Sequence, residues 1–200
     1  MTNVLVLNSS VSGDTSVSRE LVNDAITRLS GASADVTLRD LGAEPVPHLS
    51  QDAVAAIRGG VTANAAQEDA LALSDALVAE LLAADTLVIG APMYNFGIPS
   101  QLKAWFDYVL RPGIAFQYSE AGPKGLLTGK RAVVIETRGG LYSEGPAMAM
   151  DSQEPHLRNM LGFMGISDVT FVRAEKLAFG DDAKAAALAS ARAQLDAIAA

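Results

Sequence analysis

Two hundred residues, half of them hydrophobic, suit one domain with a sizeable core. A formal net charge of -8 argues against a nucleic-acid surface and against a polybasic membrane contact. The lack of cysteine excludes disulfides, thiolate-held zinc, iron–sulfur clusters and thiol catalysis.

The chain opens with no basic segment followed by an apolar signal core, and no apolar run is long enough to span a bilayer. The expected home is therefore the cytoplasm. Asn3–Asn8 reads as a first strand. A hydroxyl-rich loop follows, with Ser10, Ser12, Thr15, Ser16 and Ser18. Leu21, Val22, Ala25, Ile26 and Leu29 then recur at helical spacing. Free N–H groups at a helix start favour an anion, and hydroxyls add neutral donors, so this loop predicts phosphate binding. Helix capping accounts for one serine of that kind but not for the run.

Ala34–Asp40 reads as the second strand and Asp52–Ile57 as a short helix. A long helix is expected over about 66–84, with Leu71, Ser74, Ala76, Leu77, Val78, Leu81 and Leu82 on its buried stripe. Thr86–Gly90 is a third strand, which Pro92 ends because proline cannot donate to a ladder. Met93, Tyr94, Asn95 and Phe96 follow in a row. Large apolar side chains in a loop are a liability without a partner, so a ligand contact is expected there. Gly97 offers freedom to turn, and Pro99 suits the first turn of a helix running to about Leu110. That helix carries Leu102, Trp105, Phe106 and Val109 on one face.

Phe116 and Tyr118 alternate as in a short extended piece or hairpin, which serves either local packing or a pocket wall. Lys130–Thr137 is the fourth strand. Arg138, Gly139 and Gly140 at its end form a simple turn or present open N–H groups to a flat ligand. Ser152–Met164 reads as a helix that Gly165 stops, Ser167–Arg173 as the fifth strand and Ala183–Ala199 as a closing helix. His48 and His156 stand far apart and give no metal-ligand pattern, so no metal is expected.

Alternating strands and helices predict an α/β protein with a parallel sheet covered on both faces. Five strands suit a flavodoxin-like three-layer fold in the order 2-1-3-4-5, as one domain over residues 1–200. The switch point then falls between the first and third strands, which carry the hydroxyl loop and the Met93–Phe96 loop. There is no G-x-G-x-x-G motif. Gly125–Lys130 mimics a P-loop, but its glycine spacing is short and Arg131 stands where Ser or Thr belongs.

Pro92–Asp107 (PMYNFGIPSQLKAWFD) resembles the signature of the FMN-dependent NADH-azoreductases, which also act as NAD(P)H:quinone oxidoreductases. Ser9-Ser10 with Ser16-Val17-Ser18 resembles that family's phosphate loop, and Thr137-Arg-Gly-Gly140 its third flavin loop. The resemblance covers essentially the whole chain, Gly122–Leu126 and Leu161–Ile166 included. It implies a flavodoxin-like homodimer with one FMN per active site, built at the dimer interface. By matching positions, Ser10, Ser16, Val17 and Ser18 would hold the phosphate and ribityl chain. Met93, Tyr94, Asn95 and Phe96 would line the isoalloxazine, and Thr137, Arg138, Gly139 and Gly140 its pyrimidine edge. The Arg138 guanidinium would either point inward at the flavin or form a surface ion pair. Tyr118, Tyr142 and Phe163 would contact substrate.

The implied reaction is ping-pong. NADH or NADPH reduces flavin N5, and a flat acceptor (a quinone or an azo compound) then takes two electrons. No catalytic side chain is required. A single-electron carrier acting with protein partners and a phosphate-binding module without flavin are the rival readings.

Overall fold

The computed structural model describes residues 2–29 and 34–199. In chain order the elements are β1 (Asn3–Asn8), α1 (Val17–Leu29), β2 (Asp35–Asp40), α2 (Gln51–Gly59), α3 (Ala65–Ala83), β3 (Thr86–Pro92) and α4 (Ser100–Val109). They continue with β4 (Phe116–Ser119), β5 (Gly122–Gly125), β6 (Arg131–Thr137), α5 (Glu154–Met164), β7 (Asp168–Ala174) and α6 (Asp181–Ala199). Single 3-10 turns lie at Gly13–Thr15 and Pro146–Met150.

Strands β2-β1-β3-β6-β7 form one parallel sheet in that order, which is the expected 2-1-3-4-5 pattern of a flavodoxin-like α/β fold. The apolar runs of β1, β3 and β6 are buried on both faces, as a sheet covered on both sides requires. One hydrophobic layer joins the sheet to α2, α3, α4 and α5, and the other joins it to α1 and α6. β4 and β5 pair antiparallel as a separate hairpin, so the Phe116–Tyr118 alternation is that of a hairpin strand.

Several boundaries differ for local reasons. Pro99 is the residue before α4 rather than in its first turn. α1 starts at Val17, so Ser18 is already helical. On α3, Ser74, Leu77, Val78 and Leu81 are buried, whereas Ala76 and Leu82 are exposed. The stripe is narrower than the apolar composition suggested, because neighbouring positions such as Leu81 and Leu82 sit about 100° apart around a helix. Gly165 ends α5 in the left-handed conformation at φ 94°, as a helix stop does.

β1, β3, β6 and β7 end level with one another: Asn8 is opposite Gly90, Pro92 opposite Thr137, and Thr137 opposite Ala174. Three unusual loops therefore leave the sheet at one edge. Among the described residues no helix is long and apolar enough to cross a membrane.

Candidate functional site

The loop after β1 turns through the Gly13–Thr15 helical turn into α1. Ser10, Ser16 and Ser18 are buried, while Ser12 and Thr15 are exposed. Ser16 is the cap of α1: its Oγ accepts from the Arg19 N–H at 3.2 Å. Ser18 Oγ lies 3.0 Å from Ser16 Oγ. No described residue accepts from the Val17 and Ser18 N–H groups. The start of α1 thus presents two free N–H groups, two hydroxyls and the positive end of the helix dipole, which suits a phosphate.

The β3 loop closes onto this one. Tyr94 OH accepts from the Val11 N–H at 3.2 Å and lies 3.4 Å from Ser10 Oγ. Tyr94 and Gly97 exchange both backbone hydrogen bonds at 3.1 Å, which makes Asn95-Phe96 a two-residue turn. Both turn residues have positive φ, 49° for Asn95 and 71° for Phe96, whereas Gly97 does not. The turning freedom assigned to Gly97 is therefore supplied by its two neighbours. Asn tolerates the left-handed region; for Phe it is strained, by about 1–3 kcal/mol. Strain held in place by its surroundings is common where a side chain must face a ligand. Phe96 O accepts from the Ser152 N–H at 3.0 Å, and its ring meets Tyr142 edge-on at 6.1 Å. Phe96→Gly is expected to leave stability within about 1 kcal/mol of wild type, relief of strain offsetting the lost aromatic contact. Urea unfolding of the variant and of wild type reads this.

The β6 loop joins from the other side, with the Met93 N–H donating to Thr137 O at 2.9 Å. The carbonyls of Arg138, Gly139 and Gly140 accept from Leu177, Ala178 and Lys176. No described residue accepts from the Gly139 and Gly140 N–H groups. They are donors left open at the edge where the three loops meet. A Cβ on Gly140 would stand 2.9–3.1 Å from the Tyr142 ring, so a glycine is what lets Tyr142 fold back over the loop.

Arg138 takes neither place expected of it. Its side chain is fully buried beneath the loop and committed to other side chains. Nε donates to Gln153 Oε1 at 3.0 Å, Nη1 to Glu175 Oε1 at 3.2 Å and Nη2 to Glu136 Oε2 at 2.7 Å, with Asp151 Oδ2 at 3.0 Å from Nη2. Its guanidinium is a structural centre, neither aimed at a ligand nor in a surface pair. Gln153 carries the connection on, donating to Ala91 O at 2.7 Å. Glu175 accepts from the Tyr142 and Ser143 N–H groups at 2.8 and 3.0 Å. One guanidinium therefore ties together the ends of β3 and β6, the turn before α5 and the loop after β7. Burial pushes Glu136 up to about 8 against the pull of Arg138. Burial also raises Glu175, but hydrogen bonds from Ser143, Tyr142 and Arg138 outweigh it and hold that carboxyl below its ordinary value.

Sequence reasoning missed Asp151, Gln153 and Glu175, whose partners are distant in the chain. The available signal was Glu136 itself, a charge facing inward in the apolar run of β6 two residues before Arg138 and so on the same face of the strand. It also missed Asn8, buried at the end of β1 with an unpartnered Oδ1.

Tyr118 and Phe163 are not brought to the loops within one chain. Phe116 packs against both, at 5.4 and 4.5 Å between centroids, where the hairpin meets the far end of α5. The first turn of α5 adjoins the loops, and Phe163 lies about 13 Å further along the helix axis. Tyr118 is 74% exposed. His156 is half-buried on α5, and no cluster of metal-ligating side chains occurs among the described residues.

Three loops meeting at the carboxyl edge of a 2-1-3-4-5 sheet, with donors open at a helix start, define a flavodoxin-like protein with a phosphate-bearing ligand site at the switch point. The chain belongs to the flavodoxin-like fold family, whose sequence model matches residues 2–199. It is 56% identical over 198 residues to an FMN-dependent NADH:quinone oxidoreductase of Hyphomonas neptunium, covering 98% of this chain and 94% of that one. It is 46% identical over 200 residues to FMN-dependent NADH:quinone oxidoreductase 1 of Photobacterium profundum, covering all of both chains. Its fold superposes on an FMN-dependent NADH-azoreductase of Bacillus anthracis str. Ames Ancestor in complex with FMN, with TM-score 0.90 and 26% identity, covering 100% of this chain and 98% of that one.

Proposed function

We propose that this chain is an FMN-dependent NADH:quinone oxidoreductase that also reduces azo bonds, acting as a homodimer in the cytoplasm, with residues 1–200 forming one FMN-binding domain. The observation that carries the reading is the closure of the hydroxyl loop by Tyr94, which joins Ser10 and Val11 of that loop to the strained Asn95-Phe96 turn. FMN, when bound, supplies the hydride and two-electron chemistry.

The chain's own residues hold and orient. Ser16, Ser18 and the Val17 and Ser18 N–H groups bind the phosphate; Ser10 sits behind them. Met93, Tyr94, Asn95 and Phe96 support the isoalloxazine. The N–H groups of Gly139 and Gly140, beside Thr137, would donate to the pyrimidine edge of a bound flavin and hold negative charge there. The backbone of Arg138 is engaged elsewhere, so its part is to hold that loop. Tyr142 borders the acceptor. Tyr118 and Phe163 complete the site from a second copy, because the hairpin places them beyond reach of their own loops.

The test is the visible absorbance of the purified protein before and after anaerobic NADH. A flavin spectrum that bleaches and then recovers on adding menadione, with no partner protein, supports the enzyme over an electron carrier. A colourless protein that takes up no added FMN overturns it. Ser16→Ala with Ser18→Ala should weaken FMN binding about tenfold, the loss of one or two hydrogen bonds to a charged group. Equal affinity of the double variant and wild type in a flavin fluorescence titration removes the loop assignment.

A further inference from the structure

Beside Tyr142 lies a cavity of about 500 Å³. Its wall includes Tyr142, Met148, Glu154, Arg158, Asn159 and Arg173. The reading above gives it no role.

Its polar groups are unevenly satisfied. Glu154 uses both oxygens: Arg158 donates through Nε at 2.9 Å and through Nη2 at 2.5 Å, and Arg173 through Nε and Nη2, each at 2.8 Å. Asp151, also on this wall, accepts from the Gln153 and Glu154 N–H groups with one oxygen and faces Arg138 with the other. Both carboxylates are thus engaged. The donors are not: among the described residues Nη1 of Arg158, Nη1 of Arg173 and Nδ2 of Asn159 have no hydrogen-bond partner. The wall carries two guanidiniums, Arg158 and Arg173, and two carboxylates, Asp151 and Glu154, so its formal charges balance and the spare capacity lies in the donors. Arg158 is held in place from behind by the Phe171 ring, 4.2 Å from its central carbon. Spare donors on a guanidinium held in a fixed place suit an anion.

Tyr142 lines this cavity, and its ring also meets Phe96 of the β3 turn. Resting on the oxidoreductase reading, we propose that this cavity is a subsite for the anionic group of the planar redox partner. Arg158, Arg173 and Asn159 receive a carboxylate, sulfonate or phosphate carried by a ring that stacks at Phe96 and Tyr142. Two sources carry that chemistry, an anionic substituent on the acceptor and the diphosphate of NADH.

The experiment compares FMN-loaded wild type, Arg158→Gln and Asn159→Leu. Arg158 is half-exposed on the helix surface, with a side-chain exposure of 52%, so its replacement leaves the core untouched. Menadione and 1,4-naphthoquinone-2-sulfonate are the acceptors, each varied at fixed NADH, and NADH is then varied against each. The ratio of kcat/KM for the sulfonate to that for menadione should fall about tenfold in Arg158→Gln, the loss of one charge-assisted hydrogen bond. It should fall about threefold in Asn159→Leu, the loss of a neutral one. Raising ionic strength should shrink the wild-type ratio. A rise in the KM for NADH with both acceptors, at an unchanged ratio, places the donor's diphosphate in the subsite instead. An unchanged ratio together with an unchanged NADH KM overturns the subsite and leaves Arg158 as a helix-surface ion pair. Wild type that reduces neither quinone overturns the functional reading, and the subsite with it.

Discussion

Gly42→Ala is expected to destabilise the protein by about 3 kcal/mol, the upper end for overpacking, and to weaken FMN binding about tenfold or more. A Cβ at this position would stand 2.0 Å from Ser10 O and 2.8 Å from Ser10 C. Both are backbone atoms, so no rotamer change relieves the clash. The chain is held against the loop from both sides. Leu41 N–H donates to Asn8 O at 2.7 Å, and Asp40 Oδ1 accepts from the Gly42 and Ala43 N–H groups at 3.2 Å. Arg19 Nη2 fixes Asp40 in turn, at 2.6 Å. The strain must therefore move Ser10, and with it the contact to Tyr94. Urea unfolding measures the first effect and flavin fluorescence titration the second. Gly59→Ala is the control. No atom lies within 4 Å of its Cβ, and it should gain up to about 1 kcal/mol from reduced unfolded-state entropy. Wild-type stability and FMN affinity in Gly42→Ala would show that the loop is not held by this close approach.

Removing the buried cation should cost more. Arg138→Met leaves Glu136, itself fully buried, without its 2.7 Å partner and also frees Asp151 and Glu175. A broken buried pair of this kind costs about 3–5 kcal/mol once Glu136 is ionised, above its pKa of about 8, because its charge then stays behind without its partner. The pH dependence identifies the residue responsible. The folded-state pKa of Glu136 lies at about 8, above its ordinary value of 4.5. Its stabilising contribution is full below the ordinary value and is lost as pH rises through about 8. Without Arg138 the carboxylate form loses its attraction and the pKa rises further. The deficit of Arg138→Met should therefore grow between pH 7 and pH 9.5, as read by urea unfolding at both. Adding Glu136→Leu should remove the growth and recover part of the stability. A deficit independent of pH would mean that Asp151 and Glu175, not Glu136, carry the loss.

These two residues mark the division between what the chain shows and what its folding adds. The parallel sheet, its strand order and the three loops at its carboxyl edge were legible, the strands and loops from local pattern and the order from the number of alternating elements. Apolar runs such as Thr86–Gly90 have period and length that suit only a buried strand. Gly165 stops a helix through its own backbone freedom. The hydroxyl run could be placed between a strand and a helix start from the patterns on either side of it. The hairpin at Phe116 was legible as an alternative but could not be chosen, since its partner strand Gly122–Gly125 has almost no apolar pattern.

What the sequence by itself determined was thus the fold class and the places where a ligand could sit. Tertiary structure decided the rest. It decided that the turn at Asn95-Phe96 takes its positive φ at a phenylalanine rather than at the glycine beside it, because Tyr94 and Ser152 bind the turn from outside. It decided that Arg138 is buried, because four carboxylates from three segments, Glu136 on β6, Asp151 and Glu154 at the start of α5 and Glu175 after β7, converge on one guanidinium. It also decided that Tyr118 and Phe163 lie together at the far end of α5 and away from Tyr142. Backbone conformation follows mainly from near neighbours in the chain. Burial and charge pairing follow from neighbours in space, which no periodicity encodes.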